Sequence, residues 1–351
     1  MVRPSPAAIT PLAILIVWST IQVKSFPIQS IGQENDRPII GILVQELSDY
    51  MIKMYGDEQE SYIAASYVKS VESAGARVVP IWIGQPATYY SDVLSKINGI
   101  FWPGGEAEFD RSGGFSAAGQ IIYRIAREMN DRGDFFPIWG TCLGFELLTY
   151  LAANGVEHRT NCSSNNQVLP IIFKPNFTQS RMFQNVPQDI IDILRTENVT
   201  ANFHDYCVTE EDMAKVNLTD SFRIMSVNQD SNGLEFISTL EHINYPFYGV
   251  QFHPEKNNYE WVRRSVLPHT RNSIRASQYF VDFFVDEARK NKHHFSSPEE
   301  EIKNLIYNYI PDYTAGLTKS VFQQVYFFKK QPKSILKDRS TSNSSITAWA
   351  N

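Results

Sequence analysis

From residue 37 onward, short continuous apolar runs alternate with longer stretches whose apolar positions recur every three or four residues. The runs RPIIGILVQ (37–45), ARVVPIWI (76–83), GIFWPGG (99–105) and FFPIWG (135–140) have the length and bulk of buried strands. Between them, 60–75 places Ile63, Tyr67, Val71 and Ala74 at helical spacing and stops at Gly75. A short helix over 91–97, with Ser91 as its cap, and a longer one over 116–133 are predicted in the same way. Strand and helix joined by short connections predict βαβ units, hence a mostly parallel sheet with helices on both faces, a three-layer α/β sandwich. The second half is richer in strands, over 221–229, 235–241 and 247–252. It closes with a helix over 273–290 whose stripe of Ala276, Tyr279, Phe280, Phe283 and Phe284 is assigned to core packing.

The two ends break this pattern. Arg3 precedes the uncharged apolar stretch Ala7–Val23, and Val23-Lys24-Ser25 fits a cleavage site. Residues 1–25 are therefore expected to be a secretory signal peptide, with Pro11 and the short span arguing against a membrane anchor. The domain is placed at 26–328, followed by a polar, basic, Ser-rich tail over 329–351 that is expected to be disordered. A secretory route gives meaning to the glycosylation triplets at Asn161, Asn176, Asn198, Asn217 and Asn343, and the first four predict exposed loops. Three cysteines are too few for a disulfide framework; Cys162 and Cys207 could pair, which would leave Cys142 free. A net charge of -6 supplies no basic field to recruit nucleic acid or an anionic membrane.

Candidate chemistry centres on WGTCLGFELL (139–148). Gly140-Thr141-Cys142-Leu143-Gly144 matches the G-x-S-x-G elbow with sulfur as nucleophile, set between a strand and a helix. A helix N-terminus and a neighbouring imidazolium would lower the thiol pKa, whereas a buried structural cysteine is the plain alternative. The run YGVQFHPE (248–255) offers His253 at a strand end as proton carrier, with Glu255 across Pro254 to fix its tautomer. The loop WPGG (102–105) offers the amides of Gly104 or Gly105, with that of Leu143, as oxyanion donors. No further His, Cys or Asp stands at ligand spacing, so neither metal nor cofactor is expected, and His293-His294 are assigned to solvated surface.

PGG, GxCxG and FHPE in this order resemble the class I glutamine amidotransferase-like fold, whose triad is Cys-His-Glu. The segments 62–80, PIWGTCLGFELL and YPFYGVQFHPEKNNYEW (245–261) resemble, more narrowly, the gamma-glutamyl hydrolase family. The resemblance covers about residues 38–328. It implies Cys142 as nucleophile, His253 as the essential histidine and Glu255, less essential, as third member. It also implies a further important histidine at His204 and a pocket-lining residue at Glu146. Hydrolysis of folyl poly-γ-glutamates, a secreted or lysosomal location and homodimerisation are further implications. With no synthetase domain to accept ammonia, water is the expected acceptor. A hydrolase of small γ-glutamyl amides or glutamine, and a non-catalytic secreted glycoprotein, are the alternatives.

Overall fold

The computed structural model describes residues 34–262, 266–317 and 320–329, and the described residues from Asn35 onward form one compact unit. The expected signal peptide, Asn343 and nearly all of the tail lie outside these residues. The strands are β1 (Ile39–Leu43), β2 (Gln45–Glu46), β3 (Ser61–Ala64), β4 (Arg77–Ile81), β5 (Gly99–Trp102), β6 (Ile138–Thr141) and β7 (Thr160–Leu169). They continue as β8 (Ile172–Phe173), β9 (Thr200–Cys207), β10 (Phe222–Gln229), β11 (Glu235–His242), β12 (Phe247–Val250), β13 (Asp312–Tyr313) and β14 (Gln324–Phe328). The helices are α1 (Asp49–Tyr55), α2 (Ala65–Ser73), α3 (Ala87–Leu94), α4 (Phe115–Asp131) and α5 (Leu143–Ala152). After them come α6 (Gln188–Thr196), α7 (Glu210–Lys215), α8 (Pro254–Tyr259), α9 (Arg271–Arg289) and α10 (Pro298–Asn304).

The central sheet has eight strands in the order β4-β1-β5-β6-β12-β11-β10-β8. The first five are parallel, and β11, β10 and β8 continue antiparallel, so the sheet is mixed, as the strand-rich second half foreshadows. Alternate side chains of β1 enter two separate cores. Ile39 and Leu43 pack with Leu94, Ile122, Phe145 and Leu148 of α3, α4 and α5. Ile40 and Ile42 pack with Val68, Leu194, Phe280 and Phe284 of α2, α6 and α9. Three layers result. In the aromatic stripe of α9, Ala276, Phe280 and Phe284 are buried at four-residue steps, each ring contributing about 2 kcal/mol by leaving water.

Several boundaries differ from the sequence reading. Ser61–Ala64 is a strand rather than the first turn of a helix, because β14 pairs with it antiparallel, Val325 opposite Ala64. Ser91 sits inside α3, whose cap position is Pro86. His293 is not solvated surface: Nε2 lies 2.9 Å from Asp134 Oδ1 and Nδ1 reaches the Leu94 carbonyl at 2.9 Å. Asn161, Asn176, Asn198 and Asn217 are all exposed, although Asn161 lies within β7 and not in a loop. No helix among the described residues is long and apolar enough to cross a membrane.

Candidate active site

The site is assembled by three adjacent parallel strands, β5, β6 and β12, whose carboxyl ends share one edge of the sheet. That edge is where α/β sheets open a crevice for ligands. Register does the placing: Gly249 lies opposite Gly140 and Val250 opposite Thr141, so Cys142 and the segment leading to His253 emerge side by side.

Cys142 stands between β6 and α5 with φ 52° and ψ -110°, a left-handed backbone that costs a non-glycine residue energy and is retained when surrounding structure enforces it. The flanking glycines allow the bend. A Cβ on Gly144 would fall 2.0 Å from the Trp102 carbonyl oxygen, and one on Gly140 would fall 2.4 Å from that of Gly144. Backbone hydrogen bonds from Cys142 N to Val250 O (2.9 Å) and from Glu146 N to Cys142 O (3.0 Å) fix the elbow between strand and helix.

His253 follows β12 directly before α8, where Pro254 occupies the first helical turn. Its Nδ1 lies 2.7 Å from Glu255 Oε1. A carboxylate oxygen only accepts, so Nδ1 carries the proton and Nε2 keeps the free lone pair. That Nε2 is buried and has no hydrogen-bond partner. A Cβ built on Gly104 would lie 2.7 Å from His253 Cε1, 2.7 Å from the Tyr67 hydroxyl and 3.0 Å from Cys142 Cβ, so these three side chains crowd around one backbone position. The Cys142 thiol itself faces the Phe203 carbonyl at 4.0 Å.

The loop after β5 is held from both sides. Gln45 donates to the carbonyls of Pro103 (3.0 Å) and Gly104 (3.2 Å), and Tyr67 Oη accepts the Gly104 amide at 2.9 Å. The Gly104 N–H is therefore engaged by Tyr67. The Leu143 amide hydrogen-bonds the sulfur.

Electrostatics correct one expectation. Burial pushes the Cys142 thiol well above its ordinary range and the Glu146 carboxylate adds to this, while the Leu143 amide opposes both. Burial also lowers His253, against the pull of Glu255. Both shifts favour the uncharged forms, thiol and imidazole. The helix N-terminus does not outweigh desolvation here.

Glu146 is buried on α5, accepting from Arg159 at 2.9 Å and from Gln251 at 3.0 Å, and burial raises its pKa. His204, on β9, is buried beside the Cys162–Cys207 disulfide, with its Nδ1 3.5 Å from each sulfur and 2.9 Å from the Tyr206 carbonyl. Burial pushes it down to about 3, keeping it neutral. The donor atoms of Cys162, His204 and Cys207 lie within 4.8 Å of one another, but joined sulfurs offer no thiolate to a metal. The pairing leaves Cys142 as the free cysteine. Tyr67, Gln45 and Gln251 were not singled out from sequence; Tyr67 was counted in an apolar helix face, which looks the same whether it packs in a core or roofs a site.

The peptidase C26 family model matches residues 38–255. The chain is 44% identical over 294 residues to a gamma-glutamyl hydrolase of Rattus norvegicus, covering 83% of this chain and 90% of the relative. It is 42% identical over 298 residues to that of Homo sapiens, covering 85% and 91%. A solved glutamine amidotransferase from Methylobacillus flagellatus superimposes with a TM-score of 0.40 at 9% identity, over 74% of this chain and 96% of that one. With a family match over more than half its length and relatives at this identity spanning nearly all of theirs, the chain belongs to the peptidase C26 family, that of the gamma-glutamyl hydrolases.

Proposed function

We propose that this chain is a cysteine-type omega-peptidase that hydrolyses the γ-glutamyl bonds of folyl and antifolyl poly-γ-glutamates through a thioester on Cys142. The observation that carries the reading is the buried, unpartnered His253 Nε2 beside the elbow cysteine, its ring held from behind by Glu255. As the sulfur attacks the γ-carbonyl, Nε2 takes the thiol proton, so charge separates only when substrate is present. The amides of Leu143 and Gly105 receive the developing oxyanion. His253 then gives its proton to the leaving amine and, in the second half-reaction, draws one from water to release the acyl group. Glu255 stabilises the imidazolium in both steps without taking its proton. Glu146 and His204 would line the pocket rather than carry the proton.

The same reading places the enzyme outside the cytosol, secreted or lysosomal, as a glycosylated homodimer. The disulfide and the four exposed sequon asparagines support that setting. Product analysis on a defined pteroyl-pentaglutamate tests the activity. Wild-type protein should release γ-linked glutamate or shorter γ-glutamyl peptides, and Cys142→Ala should be folded and inactive. Residual turnover above about a thousandth of wild type would remove Cys142 from the nucleophile role.

A further inference from the structure

Lys256 follows Glu255 in α8, with only 7% of its surface exposed. A cation so enclosed is costly unless a counter-charge matches it. Yet Lys256 makes no ion pair among the described residues. Its ammonium stands over two ring faces, 5.2 Å from the centroid of Phe203 and 5.1 Å from that of Phe322, an attraction that replaces only part of the lost hydration. The two neighbouring carboxylates each have one oxygen engaged elsewhere and keep the other, Glu255 Oε2 and Glu260 Oε1, buried without a hydrogen-bond partner. Glu255 is engaged with His253, and the buried Glu260 accepts from the Gln323 amide and feels the Lys256 charge without closing to ion-pair distance. By contrast Arg159, the other largely buried cation near the nucleophile, is matched by Glu146 at 2.9 Å and Glu157 at 2.7 Å. The charge of Lys256 is felt at both Cys142 and His253, and Phe203, which it covers, presents its carbonyl to the thiol.

We propose that the Lys256 ammonium binds the α-carboxylate of the glutamyl residue whose γ-carbonyl Cys142 attacks, and so distinguishes a γ-linked from an α-linked glutamyl bond. This rests on the γ-glutamyl reading above. The chemistry fits: a γ-linkage leaves that α-carboxylate free, a short alkyl chain away from the scissile carbonyl, whereas an α-linkage consumes it. A fixed cation next to the nucleophile selects the first and leaves the second without its partner.

The test compares two substrates, N-benzoyl-γ-glutamyl-glutamate and its analogue with an α-carboxamide on the first glutamyl residue. Wild-type enzyme should prefer the carboxylate. Lys256→Met keeps an apolar stem against Phe203 and Phe322 but removes the charge, and should lower kcat/KM on the carboxylate by roughly thirtyfold or more while changing the carboxamide less than about threefold. Lys256→Arg should retain much of the preference. Because the readout is a ratio, partial loss of folded enzyme does not move it. Equal losses on both substrates, or an undiminished preference in Lys256→Met, would overturn the assignment while leaving γ-glutamyl hydrolysis intact. Wild-type enzyme that cleaves neither substrate would overturn the γ-glutamyl reading itself, and this proposal with it.

Discussion

Glu255 Oε1 lies 2.7 Å from His253 Nδ1, two residues apart in sequence, both buried at the start of the same short helix. The contact does two things at once. It fixes the tautomer that leaves Nε2 free, and it opposes the desolvation that pulls the imidazole pKa down.

Glu255→Gln should therefore weaken catalysis without abolishing it. An amide can still orient the ring but no longer stabilises the imidazolium, and a loss of about tenfold to a hundredfold in kcat/KM is expected. The pH profile carries the sign. The His253 pKa already lies below 6.5 in the folded protein, so the acid limb of kcat/KM should fall below pH 6.5 in the wild type. Removing the carboxylate charge should move that limb further toward acid. A limb that stays put, or moves toward neutral pH, would mean that Glu255 is not the charge partner.

The Cys162–Cys207 bond ties β7 to β9, and β9 in turn braces the site. Ala201 on β9 accepts the His253 amide at 2.8 Å, and the Phe203 carbonyl faces the Cys142 thiol. A cross-link spanning 45 residues restricts the unfolded chain by about 4 kcal/mol in the chain-entropy model. The Cys162→Ala/Cys207→Ala double variant should lose roughly 2–4 kcal/mol in urea unfolding. Mild reductant should lower the wild-type midpoint but leave that of the double variant unmoved. Equal stability of the two proteins would show that β7 and β9 hold together without the bond.

What the sequence disclosed, and what it hid, follows from range. The elbow was legible because its demands are local: Gly140 and Gly144 flank Cys142, and one strand and one helix flank them. His253 and Glu255 were legible for the same reason, being two residues apart at a strand end. Tyr67 was not, since its partner His253 is 186 residues away. The strand Ser61–Ala64 was missed because its extended form is dictated by β14, more than two hundred residues later. The thiol pKa was read in the wrong direction for a related reason. Helix position can be counted along a sequence, but burial of Cys142 beneath Tyr67, Phe203 and His253 cannot, and burial is the larger effect.

His242, outside the site, makes a prediction about stability rather than rate. It ends β11, and its Nδ1 accepts the backbone amides of Asn244 (3.1 Å) and Tyr245 (3.3 Å). Burial, together with the charges of Arg127 and Arg181, pushes its pKa down to about 4. Protonation must break two hydrogen bonds and place a cation near two guanidinium groups. The unfolded chain, with histidine near its ordinary 6.5, binds that proton first as pH falls. The stability contributed by neutral His242 is thus complete above about pH 6.5 and declines toward pH 4, by about 2 kcal/mol at pH 5. In His242→Gln, whose side-chain oxygen can accept but not titrate, the difference in unfolding free energy between pH 7 and pH 5 should shrink by about that amount. An identical difference in both proteins would show that the acid sensitivity of the fold arises elsewhere.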